Sequence, residues 1–205
     1  MNNARFATII LAAGTSQRMG ELKPLLPLGN TTIADYVIST FRSIGVKVFF
    51  VAGYNYEKII SGIKTPRVNI IYNADFNKGM LSSIQAGIRQ LGNDTRAFFI
   101  QPVDIPLVEV STIEKLIEIS DKNPRKIIYP VFNGRRGHPP LIPADLVSGI
   151  LNWQNEGGLR SFLKLYENIS LEVAVNDDSI LFDIDTPEDY QELLKRYLKM
   201  IIEDV

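Results

Sequence analysis

The chain has 205 residues, a formal net charge of −1, one histidine and no cysteine. The absence of cysteine excludes a disulfide framework, thiolate metal ligands and a cysteine nucleophile, and a lone histidine excludes a histidine-rich zinc site, so any metal must be held by oxygen. The near-neutral charge argues against electrostatic nucleic-acid binding, while 45% hydrophobic and 22% charged residues suit an ordered globular chain.

The length fits a single domain over residues 1–205. No apolar run approaches membrane-spanning length, and the opening MNNARFATIILAAG lacks the charged region and full apolar core of a signal peptide, which predicts a cytoplasmic protein without a membrane partner.

In chain order, residues 6–12 (FATIILA) read as a buried strand, followed by the small-residue stretch Ala12, Ala13, Gly14. Residues 32–44 show helical spacing through Ile33, Tyr36, Val37, Phe41 and Ile44, with Gly45 placed to end the helix. A second strand is predicted over 46–52, a short helix over 56–63 and a third strand over 68–72, ending at Asn73. Leu81, Ile84, Ile88 and Leu91 then recur at helical spacing, which puts Ser82 and Ser83 in a first turn. Residues 97–100 (AFFI) form a fourth strand leading directly into Asp104.

Alternating strands and helices predict an α/β fold with a mostly parallel sheet and helices on both faces, and its ligand crevice lies beyond the carboxyl ends of the strands. A helix over 110–119 and a strand over 127–132 continue the alternation, which breaks at Asn133, Gly134, Arg135, Arg136 and Gly137 in a hairpin or excursion. Helices are predicted over 146–153 and 159–166, and a strand over 170–175. The final helix has Thr186 as its cap and Pro187 as its first residue.

The stretch over residues 11–27 (LAAGTSQRMGELKPLLP) reads as a triphosphate cradle. Residues without bulk let backbone N–H groups approach phosphate oxygens, and Arg18 and Lys23 supply fixed charge, the guanidinium as a two-pronged grip and the ammonium as a compact point charge. Asp104 and Asp185, each following a strand end, are placed to hold Mg2+ over the triphosphate, because magnesium takes one or two carboxylates and completes its shell with phosphate oxygens and water. Asp183 is the alternative to Asp185. Asn73 and Ser82 have the chemistry to contact ribose or base, or to cap and close a turn; His138 can orient an acceptor phosphate, and Arg135 and Arg136 read as hairpin-tip charges without a catalytic role.

Several ordered motifs then carry a resemblance over nearly the whole chain: LAAGTSQRMG with KPLLPLG, Asn73 with Gly79 and Ser82, Asp104-Ile105-Pro106, Gly137-His138-Pro139, and Asp185-Thr186-Pro187-Glu188-Asp189. With these the chain resembles the molybdenum cofactor nucleotidyltransferases of the MobA-like superfamily, within the Rossmann-like three-layer α/β/α nucleotide-diphospho-sugar transferase fold. The LAAG opening, with Ala13 where the guanylyl branch more often has a second glycine, looks like the cytidylyltransferase branch.

The resemblance implies magnesium-dependent attack by an acceptor phosphate on the α-phosphate of CTP, or of GTP or another nucleotide, with release of pyrophosphate. Lys23, Arg18 and Asp104 would then serve catalysis, and Leu11, Ala12, Ala13, Gly14, Asn73, Gly79 and Ser82 would join them in binding the nucleotide. Gly137, His138 and Arg160 would bind a molybdopterin-type phosphorylated acceptor, with Asp104 and Asp185 on the metal. Nucleotide-binding work would fall to about residues 1–108 and acceptor binding to about 109–205. Relatives often show Gly-Asp-x-Gly-x-Arg where this chain has Glu156 ahead of Gly158 and Arg160. The same pattern occurs in accessory factors of hydroxylases, which makes a molybdenum hydroxylase a candidate partner.

Overall fold

In the computed structural model, which describes residues 3–14 and 19–203, strand β1 (Phe6–Ala12) is buried along its whole length. Its apolar side chains alternate between two cores: Phe6, Ile10 and Ala12 face one, and Ala7, Ile9 and Leu11 the other. A strand apolar on both faces is stable only when both are covered, and that requirement makes the fold three-layered. Parallel strands β4 (Lys47–Ala52) and β6 (Ala97–Pro102) flank β1, with β5 (Asn69–Tyr72) parallel beyond β4; the hairpin β2 (Pro27–Leu28) and β3 (Thr31–Thr32) stands apart.

Helices α1 (Ile33–Ser43), α2 (Tyr56–Gly62), α4 (Val110–Lys122) and α7 (Pro187–Glu203) contribute to the first core, and α3 (Met80–Ile88), α5 (Val147–Asn152) and α6 (Gly158–Lys164) to the second. The observed α/β architecture with a mostly parallel sheet is the predicted one. No helix among the described residues is long and apolar enough to cross a membrane.

Local signals explain most boundaries. Thr32 caps α1 by accepting from the Asp35 N–H at 3.1 Å, and Thr186 caps α7 by accepting from the Asp189 N–H at 3.2 Å, while the Asp189 carboxylate returns the bond to the Thr186 N–H at 2.8 Å. Helix α3 ends at Ile88, short of Leu91, whose N–H instead closes a turn onto the Ile88 carbonyl at 3.2 Å.

The predicted break after residue 132 is a hairpin. Strand β7 (Ile127–Phe132) turns through Asn133 and Gly134, both at positive φ, into β8 (Arg135–Arg136). The chain then lays β9 (Leu141–Pro143) antiparallel between β6 and β7, and β10 (Ser170–Ala174) pairs parallel with β7 at the edge. A three-residue strand carries too little periodicity to be read from sequence. It is nevertheless what joins the two parallel parts of the sheet, in the order β10-β7-β9-β6-β1-β4-β5.

Candidate active site

Two adjoining cavities open along the carboxyl ends of the central strands. The first, about 460 Å³, is lined by Leu11, Ala12, Ala13 and Gly14 at the end of β1, by Lys23, by Gly79 and by Asp104. Seven residues proposed from sequence therefore meet in one cleft. A Cβ built on Gly14 meets nothing within 4 Å among the described residues, so none of them closes off the small-residue turn. Gly79 sits at φ 95°, ψ 178°, a backbone conformation essentially confined to glycine, and begins α3 with its N-terminus at the cleft.

Lys23 lies in a short 3-10 turn (Lys23–Leu25) and is only 9% exposed, so its ammonium needs partners. Its Nζ donates to Asp185 Oδ1 at 2.8 Å and reaches Asp104 Oδ2 at 3.5 Å. The backbone brings the two acids together: the Ile184 N–H donates to the Asp104 carbonyl at 2.9 Å, and the Asp185 N–H donates to Asp189 Oδ2 at 3.0 Å. Burial pushes the Asp104 carboxyl above its ordinary range, the neighbouring Asp185 pushes it the same way, and Lys23 opposes both.

Two carboxylates converging on one cation are a hard-oxygen donor pair that fits a magnesium-like ion. Among the described residues no cluster of three or more acidic, histidine or cysteine side chains forms a closed cage, so the remaining ligands would be phosphate oxygens and water. Asp183 is exposed and acts on His138 through its charge, whereas Asp185 accepts from Lys23, so it is Asp185 that shares the lysine with Asp104.

The second cavity, about 770 Å³, is lined by Gly137, His138 and Arg160, the three residues proposed for the acceptor, together with Tyr129, Arg136 and the apolar Ile84 and Ile100. It shares Gly79 and Met80 with the first, so the two clefts meet at the start of α3. Gly137 is a close-approach position, since a Cβ there would lie 2.5 Å from the Ile180 carbonyl oxygen. Next to it, the His138 N–H donates to that same carbonyl at 2.9 Å.

Burial holds the His138 imidazole below its ordinary pKa, opposed by its hydrogen bond to the Ile100 backbone and by the charges of Asp104 and Asp183, and its buried Nδ1 has no hydrogen-bond partner among the described residues. Arg136 is consumed internally: it stacks over the Tyr129 ring at 4.5 Å, donates to Glu172 at 2.7 Å and pairs with Glu167.

Asn73 and Ser82 are not among the residues lining the first cavity, where Asn77, Met80 and Ser83 stand instead. Asn73 donates to the Ser82 and Ser83 hydroxyls at 2.9 Å each and accepts from the Asp75 N–H at 3.0 Å, closing the loop ahead of α3. Arg18 lies outside the described residues. Sequence reasoning missed Met80 at the seam and Ser83, although Ser83 follows Ser82 in the same helical turn.

The chain is 28% identical over 193 residues to the molybdenum cofactor cytidylyltransferase of Escherichia coli (strain K12), covering 94% of this chain and 97% of that protein. It is also 28% identical over 196 residues to the nicotine blue oxidoreductase of Paenarthrobacter nicotinovorans, covering 91% and 95%. Among solved structures, Rv0371c of Mycobacterium tuberculosis in complex with manganese shares the fold, with a TM-score of 0.76 at 18% identity over 93% of this chain and 97% of that one. The sequence model of the MobA-like NTP transferase domain matches residues 8–172, and the chain belongs to that family.

Proposed function

We propose that this chain is a magnesium-dependent cytidylyltransferase that moves CMP from CTP to the terminal phosphate of a molybdopterin-type acceptor and releases pyrophosphate. The observation that carries the reading is a small-residue phosphate cleft holding Lys23 and two convergent aspartates, joined at Gly79 and Met80 to a second cleft with its own basic group, Arg160. Two anionic substrates can meet there head to head. The resemblance of the LAAG opening to the cytidylyltransferase branch supports CTP over GTP.

In this mechanism the backbone of Ala12, Ala13 and Gly14 cradles the triphosphate, and Lys23 exchanges its carboxylate partners for phosphate oxygens. Asp104 and Asp185 would hold magnesium, which when bound neutralises charge on the phosphates. Arg160 and His138 orient the acceptor so that its phosphate lies in line with the nucleotide α-phosphate. A terminal phosphate is already largely ionised at neutral pH, so positioning and electrostatics suffice without a strong general base. Residues 1–108 serve the nucleotide and 109–205 the acceptor, with Asp185 reaching back to complete the metal corner.

Pyrophosphate release tests the reading, with CTP, GTP, UTP and ATP each offered with magnesium and a panel of phosphorylated acceptors that includes authentic cofactor and sugar phosphates. Turnover with CTP and the pterin-type acceptor is expected. Preference for a sugar phosphate would reassign the acceptor. Tight CTP binding without any release would identify a noncatalytic accessory protein that serves a molybdenum hydroxylase.

A further inference from the structure

Gln101 is a glutamine in a run that is otherwise apolar, one residue from the end of the central strand β6, and it is 1% exposed. A polar side chain in such a place must find partners. Its Nε2 donates to the Pro102 carbonyl at 2.7 Å and to the Ile105 carbonyl at 2.8 Å. The Ile105 N–H also bonds to the Pro102 carbonyl, at 3.3 Å, so one amide clasps both ends of the turn that carries Asp104. Proline at 102 and again at 106 removes two backbone donors that would otherwise help to hold this segment.

The donors are where the side chain does its work. Its Oε1 is buried and has no hydrogen-bond partner among the described residues. A leucine there would bury no orphaned acceptor; all it would lose is the two N–H bonds to the turn.

We propose that Gln101 is a positioning residue for the metal corner: its amide fixes the Pro102–Ile105 turn so that the Asp104 carboxylate faces Asp185. The inference rests on the reading of Asp104 and Asp185 as the metal-holding pair. Gln101 touches neither carboxylate, and it acts on one of them through the backbone. A carboxylate held by a clasped turn is pre-aligned for a cation, whereas one on a loose turn must be ordered when the cation binds.

The test is Mn2+ binding, followed by electron paramagnetic resonance in the presence of a CTP analogue with a non-hydrolysable α,β bridge. Gln101→Met keeps the length and removes both donors, and Gln101→Glu keeps the shape and removes the amide donors, so either variant that folds suffices. Thr8→Val is the matched control, since Thr8 is fully buried on the same face of adjacent β1, its hydroxyl has no partner among the described residues, and it pairs with Phe99, two residues before Gln101, so it makes no bond to the turn.

The expected result is a loss of about 10–100-fold in Mn2+ affinity in the Gln101 variant, with turnover recovering at high metal and the control unchanged. Wild-type-like Mn2+ affinity in a folded Gln101 variant would overturn the proposal. Failure of the wild-type protein itself to bind Mn2+ with the nucleotide analogue would instead overturn the metal reading on which it stands.

Discussion

At the scale of single residues, the site is built on charged groups whose neighbours define their work. Lys23 bridges Asp104 and Asp185, so removing one acid leaves the lysine with half its compensation and, on the proposed reading, the metal with one carboxylate ligand. Asp104→Ala is expected to lower turnover with magnesium by on the order of 10²-fold or more, read by pyrophosphate release, and near-normal turnover would reject the assignment. Asp35 is a structural counterpart. Burial alone would raise its carboxyl, but the Thr65 hydroxyl at 2.6 Å and N–H at 2.7 Å, the Lys64 N–H and the Thr32 hydroxyl hold it below the ordinary carboxylate range. A depressed native pKa contributes stability that is complete above the unfolded value and is lost as pH falls through the folded one. Asp35→Asn should cost about 1–3 kcal/mol in urea unfolding near neutral pH and flatten the loss of stability below about pH 4.

At the scale of elements, the strands that carry the site are those whose burial made them readable. Strand β1 is buried at every position, and Asp104 follows the end of β6, so alternation alone placed the cradle and the first acid at one edge of the sheet. What joins them was not legible. Lys23 meets partners 81 and 162 residues away, and no periodicity encodes such contacts. The same holds for β9, too short to register, whereas the loop closure by Asn73 is the turn-forming role that its residue type also offered. The start of α3 provides the direct test at this scale, since Gly79 adopts a backbone conformation that a side chain strains although a Cβ there meets nothing within 4 Å. Gly79→Ala should therefore cost about 1–3 kcal/mol locally and raise KM for the nucleotide. An unchanged KM would remove this turn from the nucleotide site.

At the scale of the whole molecule, two cavities meet at Gly79 and Met80, and on the proposed reading each takes one of two substrates. The first is built from residues up to Asp104, and the second draws Tyr129, His138 and Arg160 from the later half of the chain. The division predicts separable defects: Arg160→Ala should raise the acceptor KM about tenfold or more, as expected for loss of a charge-assisted contact, while the nucleotide KM stays within about twofold. Equal effects on both constants would mean that the clefts are not independent. The measurement that bears most directly on the central claim follows the α-phosphate itself. CTP labelled at that phosphate is incubated with the protein, magnesium and a phosphorylated pterin-type acceptor, and the account predicts that label enters the acceptor in step with pyrophosphate release and that chelating the metal stops both. Label recovered only in unreacted CTP or free CMP, with none in the acceptor, would contradict it.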